Sequence, residues 1–180
     1  MVILPAADQF YFQVKDLSVI PLSEEHGNFY TQIYRDGKLM KHIATPLSQD
    51  KAHQSFILAL KLTAAVPAKR LFLVIQAPQV GGYAGLLCVS TVPSQPNCVE
   101  VGIMLMQQFH RSGLAQTALA TLCHKVFSLI PSVTIIGRID PHNAAAKKLV
   151  AKLGFVYCNK IGCYNLFAGT FQFQEKHRGS

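Results

Sequence analysis

Between Met106 and Leu119 the sequence runs MQQFHRSGLAQTAL, setting a polar, glycine-containing turn directly before a long apolar-periodic stretch. A helix begins with backbone N–H groups that have no partner inside it, and with the positive end of its dipole. Gly113, which lacks a Cβ, and the small Ser112 would let a ligand come close to those N–H groups. His110 and Arg111 add donors or charge at the same place. Residues of these types in this order suit a phosphate or pyrophosphate held mainly by main chain. The same residues also allow a plainer arrangement, in which Ser112 caps the helix and Arg111 is solvated.

The flanking elements must hold that turn in position. VKDLSVIPLS suggests a first strand running into a proline turn, and SEEHGNFYTQIYRDGK a short helix with Ser23 at its start, acids in its first turn and Gly37 at its end. A second helix is predicted over PLSQDKAHQSFILALKLTA, capped by Ser48, with Ala52, Phe56 and Leu60 on one face and Pro67 as its stop. RLFLVIQA, YAGLLCVSTV and CVEVGIMLM predict three strands, separated by Gly, Pro, Ser and Asn. Leu114, Ala118, Leu122, Val126 and Ile130 then recur at helical spacing, which predicts a helix of about five turns. SVTIIGRID is a further strand, PHNAAAKKLVAKLG a further helix stopped by Gly154, and FVYCNKIGCYNLFAGTFQFQ one or two final strands. This order predicts one mixed α/β domain over residues 1–180, in which VEVGIML, the long helix and SVTIIGRID form a strand–helix–strand unit with a right-handed crossover.

Composition narrows the class. Half of the residues are hydrophobic and the mean hydropathy is +0.25, values of a chain that folds around a core. The longest apolar runs, such as LFLVI and AGLLCV, fall far short of the roughly 20 residues that a bilayer-spanning helix needs. MVILPAADQF has no basic region before its apolar stretch, so no secretory signal is expected and the cytoplasm is the expected location. Cys88, Cys98, Cys123, Cys158 and Cys163 are scattered without CxxC spacing, which argues for reduced thiols, mostly in the core, and against a metal site. Seventeen Lys and Arg against nine Asp and Glu leave a formal charge of +8. That excess favours an anionic partner, and its dispersal along the chain favours a small polyanion over a nucleic-acid duplex.

HRSGLA follows a strand that carries Glu100, and further on a strand leads into NAAAKKLVAKLGF. On these residues the chain resembles the GNAT superfamily of acetyl-CoA-dependent N-acetyltransferases. That family's cofactor motif is Arg or Gln, two residues, Gly, one residue, then Gly or Ala. Gly113 and Ala115 fill its small positions, and His110 stands where Arg or Gln is usual. Asn143 and the KLGF of Lys152 to Phe155 match the second family signature. The segment IYRDGKLMKHIATPLSQDKA is similar to the branch that acetylates the N-termini of ribosomal proteins.

The resemblance implies a mixed, mostly antiparallel central sheet flanked by helices, with a splayed strand pair holding acetyl-CoA. The backbone of Ile103, Met104 and Leu105 would bond the pantetheine arm, and the loop of His110, Arg111, Ser112, Gly113, Leu114 and Ala115 would hold the pyrophosphate. Asn143 would reach the cofactor arm or cap its helix. The implied reaction is direct attack of an amine on the thioester, and an ammonium must first lose a proton. Glu100 is the candidate base, on the opposite strand face from Val99 and Val101. Two positions depart from the family pattern. Val150 stands where many members carry a Tyr that protonates the leaving thiolate, and Ala146 where the branch often has Ser; Tyr157, Tyr164 or water are the alternatives. Lys147, Lys148 and Lys152 form either a solvated face or a contact to the adenosine phosphate.

These readings predict an N-acetyltransferase acting on a primary amine, either a protein N-terminus or a small molecule, with acetyl-CoA as co-substrate. An acyl-CoA-binding module without turnover is the alternative, motivated by Val150 and Ala146. No specific nucleic acid, membrane or metal is expected, and the chain would be a monomer or homodimer.

Overall fold

The computed structural model describes residues 1–78 and 81–171. In chain order its strands are β1 Phe12–Val14, β2 Leu17–Pro21, β3 Arg70–Ala77, β4 Gly82–Thr91, β5 Cys98–Leu105, β6 Thr134–Gly137, β7 Val156–Cys158 and β8 Cys163–Leu166. Its helices are α1 Gly27–Arg35, α2 Gly37–Met40, α3 Gln49–Ala64, α4 Leu114–Leu129 and α5 Ala144–Lys152. The strands form one eight-stranded sheet in the order β1-β2-β3-β4-β5-β6-β8-β7. Only β5 and β6 pair in parallel, joined by α4; every other neighbouring pair is antiparallel.

Alternation along β3 divides the core. Leu71, Leu73 and Ile75 turn to a cluster with Leu87, Val89, Val99 and Val101, covered by Leu119, Leu122 and Val126 of α4 and Val150 of α5. Phe72 and Val74 turn to the opposite face, with Leu86 and Met104, under Phe29, Tyr30 and Ile33 of α1 and Phe56 of α3. A strand buried on both faces needs a continuous apolar run, which is what RLFLVIQA supplies.

The structure redraws several sequence boundaries. VKDLSVIPLS is not one strand: β1 and β2 form a hairpin in which Val14 pairs with Leu17 across Lys15 and Asp16. Lys15 takes a left-handed φ of 50°, and Lys-Asp carries none of the Asn or Gly signal that marks such turns. The first predicted helix is two helices after a 3₁₀ turn at Glu24–His26, and Gly37 opens α2 rather than closing a helix. Asp36 makes that break, its carboxylate accepting the N–H groups of Lys38 at 2.8 Å and Leu39 at 3.1 Å. Ser48 caps α3 as expected, accepting from the Lys51 N–H at 3.4 Å. The last predicted segment gives two short strands that end at Leu166, followed by a 3₁₀ turn at Ala168–Thr170. Residues 172–174 of that segment lie outside the described residues.

Candidate active site

The site begins where β5 and β6 part. Their parallel register covers only Cys98↔Thr134, Val99↔Ile135 and Glu100↔Ile136, although β5 runs on to Leu105. From Val101 onward β5 keeps β4 on one side and has an open edge on the other. The direction of its backbone groups follows from two bonds. The Met106 N–H donates to the Ala84 carbonyl at 2.9 Å, toward β4, whereas the Asn97 carbonyl accepts from the Thr134 N–H at 3.0 Å, toward β6. Since strand backbone groups alternate, even-numbered residues of β5 face β4 and odd-numbered ones face the opening. Ile103 and Leu105 therefore present main-chain groups to the open edge, and the backbone of Met104 is directed at Leu86 of β4.

Beyond β5 the chain makes a 3₁₀ turn, Gln107–Phe109, and enters α4 through His110 to Gly113, all four exposed. Arg111 and Gly113 both have left-handed backbones, at φ 63° and 81°. A Cβ at Gly113 would meet nothing within 4 Å, so its conformation rather than crowding selects glycine there. Ser112 Oγ donates to the Phe109 carbonyl at 2.6 Å and accepts the Leu114 N–H at 3.3 Å, but the N-cap of α4 is Gly113, so Ser112 braces the turn one residue before the cap and is not the helix cap the sequence allowed. The first helical bond of α4 is Thr117 N–H to the Gly113 carbonyl. The N–H groups of Gly113, Ala115 and Gln116 thus find no acceptor among the described residues. Ser112 thus satisfies the Leu114 amide alone. These donors, with Arg111 beside them, fit a diphosphate.

His110, which replaces the usual Arg or Gln, turns inward to the strand. Its Nε2–H donates to the Leu105 carbonyl at 2.8 Å, tying the turn to the end of β5. Asn143 caps α5, its Oδ1 accepting the Ala146 N–H at 3.0 Å. That bond uses the side-chain oxygen and leaves the amide nitrogen available. Lys147 donates to the Pro141 carbonyl at 2.6 Å, while Lys148 and Lys152 are exposed.

Glu100 sits at the vertex of the opening, on the face covered by α1 and α3, opposite Val99 and Val101. Gly102, the next residue on that face, is exposed, and a Cβ there would meet nothing within 4 Å. Open space therefore adjoins the Glu100 carboxylate. The sequence reading missed its partner: Arg138 Nη1 donates to Glu100 Oε2. Arg138 follows β6 directly, and a contact between positions so far apart in the chain leaves no local signal. A second link lies nearby. His42, in the loop after α2, donates through Nδ1 to Asp140 Oδ2 at 3.0 Å, and the His142 N–H donates to Asp140 Oδ1 at 2.8 Å. The His142 N–H, then His42, hold the Asp140 carboxyl below the usual carboxylate range.

The candidate proton donors lie elsewhere. Tyr164 is opposite Gly137 on β6 and packs against the α4 side of the sheet, with Tyr157 tilted against it at a ring separation of 5.1 Å. Val150 is buried in the same core. Among the described residues no cluster of His, Cys, Asp and Glu could hold a metal ion, and no helix is long and apolar enough to cross a membrane.

A family model of the acetyltransferase (GNAT) domain matches residues 16–156. No curated protein matches the sequence. Solved structures share the fold at low identity. An acetyltransferase from Agrobacterium tumefaciens superposes with a TM-score of 0.73 at 16% identity, over 87% of this chain and 94% of that one. A ribosomal-protein alanine acetyltransferase from Vibrio fischeri gives 0.71 at 15% identity, over 90% and 98%. The spermidine N-acetyltransferase of Vibrio cholerae, solved with CoA and spermine, gives 0.68 at 16% identity, over 80% and 83%. With the mostly antiparallel sheet, the parted β5 and β6 and the match over most of its length, this chain belongs to the GNAT family of acetyltransferases.

Proposed function

We propose that the protein moves an acetyl group from acetyl-CoA to a primary amine within a ternary complex. One observation carries the reading: an open strand edge runs from a carboxylate at Glu100 to unpaired amides at the start of α4. The amides of Gly113, Ala115 and Gln116 hold the diphosphate, aided by Arg111. Ile103 and Leu105 hold the pantetheine arm by main chain, and Asn143 approaches it through its free amide nitrogen. When bound, acetyl-CoA supplies an activated acetyl carbonyl that a deprotonated amine attacks directly, with release of the thiol.

Glu100 removes the proton. Its Oε2 accepts from Arg138, its Oε1 has no hydrogen-bond partner among the described residues, and Gly102 on the same strand face leaves open space nearby. An acceptor ammonium entering that space gives its proton to Oε1, directly or through one water. Water at the exposed vertex returns a proton to the thiolate, since neither tyrosine shares a face with Glu100.

Calorimetric titration with acetyl-CoA, CoA and dephospho-CoA tests the cradle. Micromolar binding by the folded protein is expected, with loss in Gly113→Glu, where a carboxylate replaces the space meant for phosphate. A folded protein that binds none of the three overturns the reading. A wild type that binds CoA yet releases no thiol with any amine would instead favour the binding module suggested by Val150 and Ala146.

A further inference from the structure

We propose that Arg138 recognises a carboxylate on the acceptor, close to its amine, so that the natural acceptors are acid-bearing amines. This rests on the acetyltransferase reading of Glu100.

Three observations support it. First, Arg138 is underused. Its side chain is 47% exposed, and Nη1 on Glu100 Oε2 is its one hydrogen bond among the described residues. A guanidinium offers five N–H donors in a planar fork, so Nε and Nη2 remain for a second, bidentate partner. Exposed ion pairs of this kind add little to stability, so fold stability alone gives small reason for the pair. Second, the place suits substrate. The two side chains touch across the vertex, and Gly102 leaves open space beside Glu100. An acceptor whose carboxylate docks on Arg138 brings an amine a few bonds away to Glu100. Third, the other acid at the end of β6 is already committed. Asp140 Oδ1 accepts from the His142 N–H and Oδ2 from His42, so of the charged side chains in and just after β6 it is Arg138 that keeps hydrogen-bonding groups without a partner among the described residues.

The arrangement also couples recognition to proton transfer. As the acceptor carboxylate takes up guanidinium N–H groups, it shares the cation that Glu100 holds in the free protein. Glu100 is then less tied to Arg138 when the ammonium arrives.

Two sources could supply the carboxylate: the α-carboxyl of a small amino acid, or an acidic side chain near a peptide N-terminus. Binding to the CoA-saturated protein, read by calorimetry, separates them. The probes are alanine against alaninamide, and Asp-Ala-Ala-Ala-amide against Asn-Ala-Ala-Ala-amide. The wild type should prefer the acid in at least one pair by about tenfold. Preference in the first pair identifies the α-carboxyl, and preference in the second an acidic N-terminus. In Arg138→Gln the preference should fall to near unity with CoA affinity unchanged, and Arg138→Lys should restore part of it. Equal binding within both pairs, or a preference that survives in Arg138→Gln, overturns the proposal while the acetyltransferase reading stands. Failure of the folded wild type to bind CoA overturns that reading, and this inference with it.

Discussion

At the residue scale the proposed chemistry can be tested at Glu100, Gly102 and Asn143. Glu100→Gln keeps the shape of the side chain and removes its basicity. Turnover should fall by roughly 10²–10⁴-fold with CoA affinity unchanged, a split that steady-state kinetics with calorimetry would resolve. Gly102 tests the space rather than the charge. It has ordinary backbone geometry and an empty direction for a Cβ, so Gly102→Leu should fold with little change in melting temperature. The added side chain would occupy the acceptor's approach to Glu100, and kcat/KM should drop while CoA still binds. A Gly102→Leu enzyme with normal kcat/KM would show that the acceptor comes from elsewhere. Asn143 calls for a pair of variants because it caps α5 and is also proposed to reach the cofactor. Asn143→Ala loses the helix cap and about 1 kcal/mol of stability. Asn143→Asp keeps the accepting oxygen and loses only the amide donor, so stability should hold while CoA affinity weakens.

At the scale of elements, the open edge exists because β5 is longer than its contact with β6, and because β4 shapes it from the other side. The β3–β4 register shifts between Ile75 and Gln76, so β4 spends an extra residue near Ala84, whose carbonyl takes the Met106 N–H. A bulge of this kind bends the strand that carries it. Just past it, a Cβ on Gly85 would lie 2.3 Å from the Met104 carbonyl oxygen, so the two strands approach too closely for any side chain there. Gly85→Ala should therefore push β5 away from β4, destabilising the protein by about 1–3 kcal/mol, measurable as a lower midpoint in denaturant. An unchanged midpoint would mean that β5 shifts freely, and that its edge is a less rigid support than the register suggests. His110 secures the same end of the strand by bonding the carbonyl of Leu105, the residue opposite Gly85. The His110 side chain thus ties the turn to the strand while the N–H groups of Gly113, Ala115 and Gln116 find no acceptor among the described residues.

The whole molecule responds to acid through a residue remote from the chemistry. His26 is fully buried at the start of α1, where Nδ1 accepts the Ser23 N–H at 2.9 Å and the ring meets Tyr83 edge-on. Burial lowers its pKa from 6.5, and Glu25, with Oε1 3.6 Å from Nε2, only partly opposes this. The folded state therefore favours neutral His26, and the unfolded chain binds the proton more readily. The stability contribution is complete above about pH 6.5 and is lost as the pH falls from there toward the lowered pKa of the folded state. Melting temperatures measured from pH 7.5 to 5 should decline over that window, and His26→Gln should flatten the decline. The charge of +8 acts on the same scale. It should produce only weak, salt-sensitive attraction to DNA or RNA, visible as binding that vanishes as salt is raised.

Much of this was legible in the linear chain because the signals are local. A glycine that can take φ 81° before a run of helical spacing marks the start of α4, where the proposed cradle lies. Ser48 before α3 and Gly154 after α5 are punctuation of the same kind. Val99, Glu100 and Val101 assigned Glu100 to the face opposite its neighbours by alternation alone, since a strand's period is two. What the sequence could not express was distance across the fold. Arg138 on Glu100 and His42 on Asp140 join residues 38 and 98 positions apart, and no spacing rule spans such gaps. The direction of the β5 backbone groups was equally hidden: with β4 as its neighbour, Ile103 and Leu105 face the opening and Met104 does not, a choice made by pairing rather than residue type. By itself the sequence determined the longer elements, β3 to β5, α3, α4 and α5, because their periodicity and end signals lie within one strand or helix. Only the tertiary structure decided which carboxylate has a guanidinium beside it and which strand edge stays open, because those depend on elements that meet only after the chain has folded.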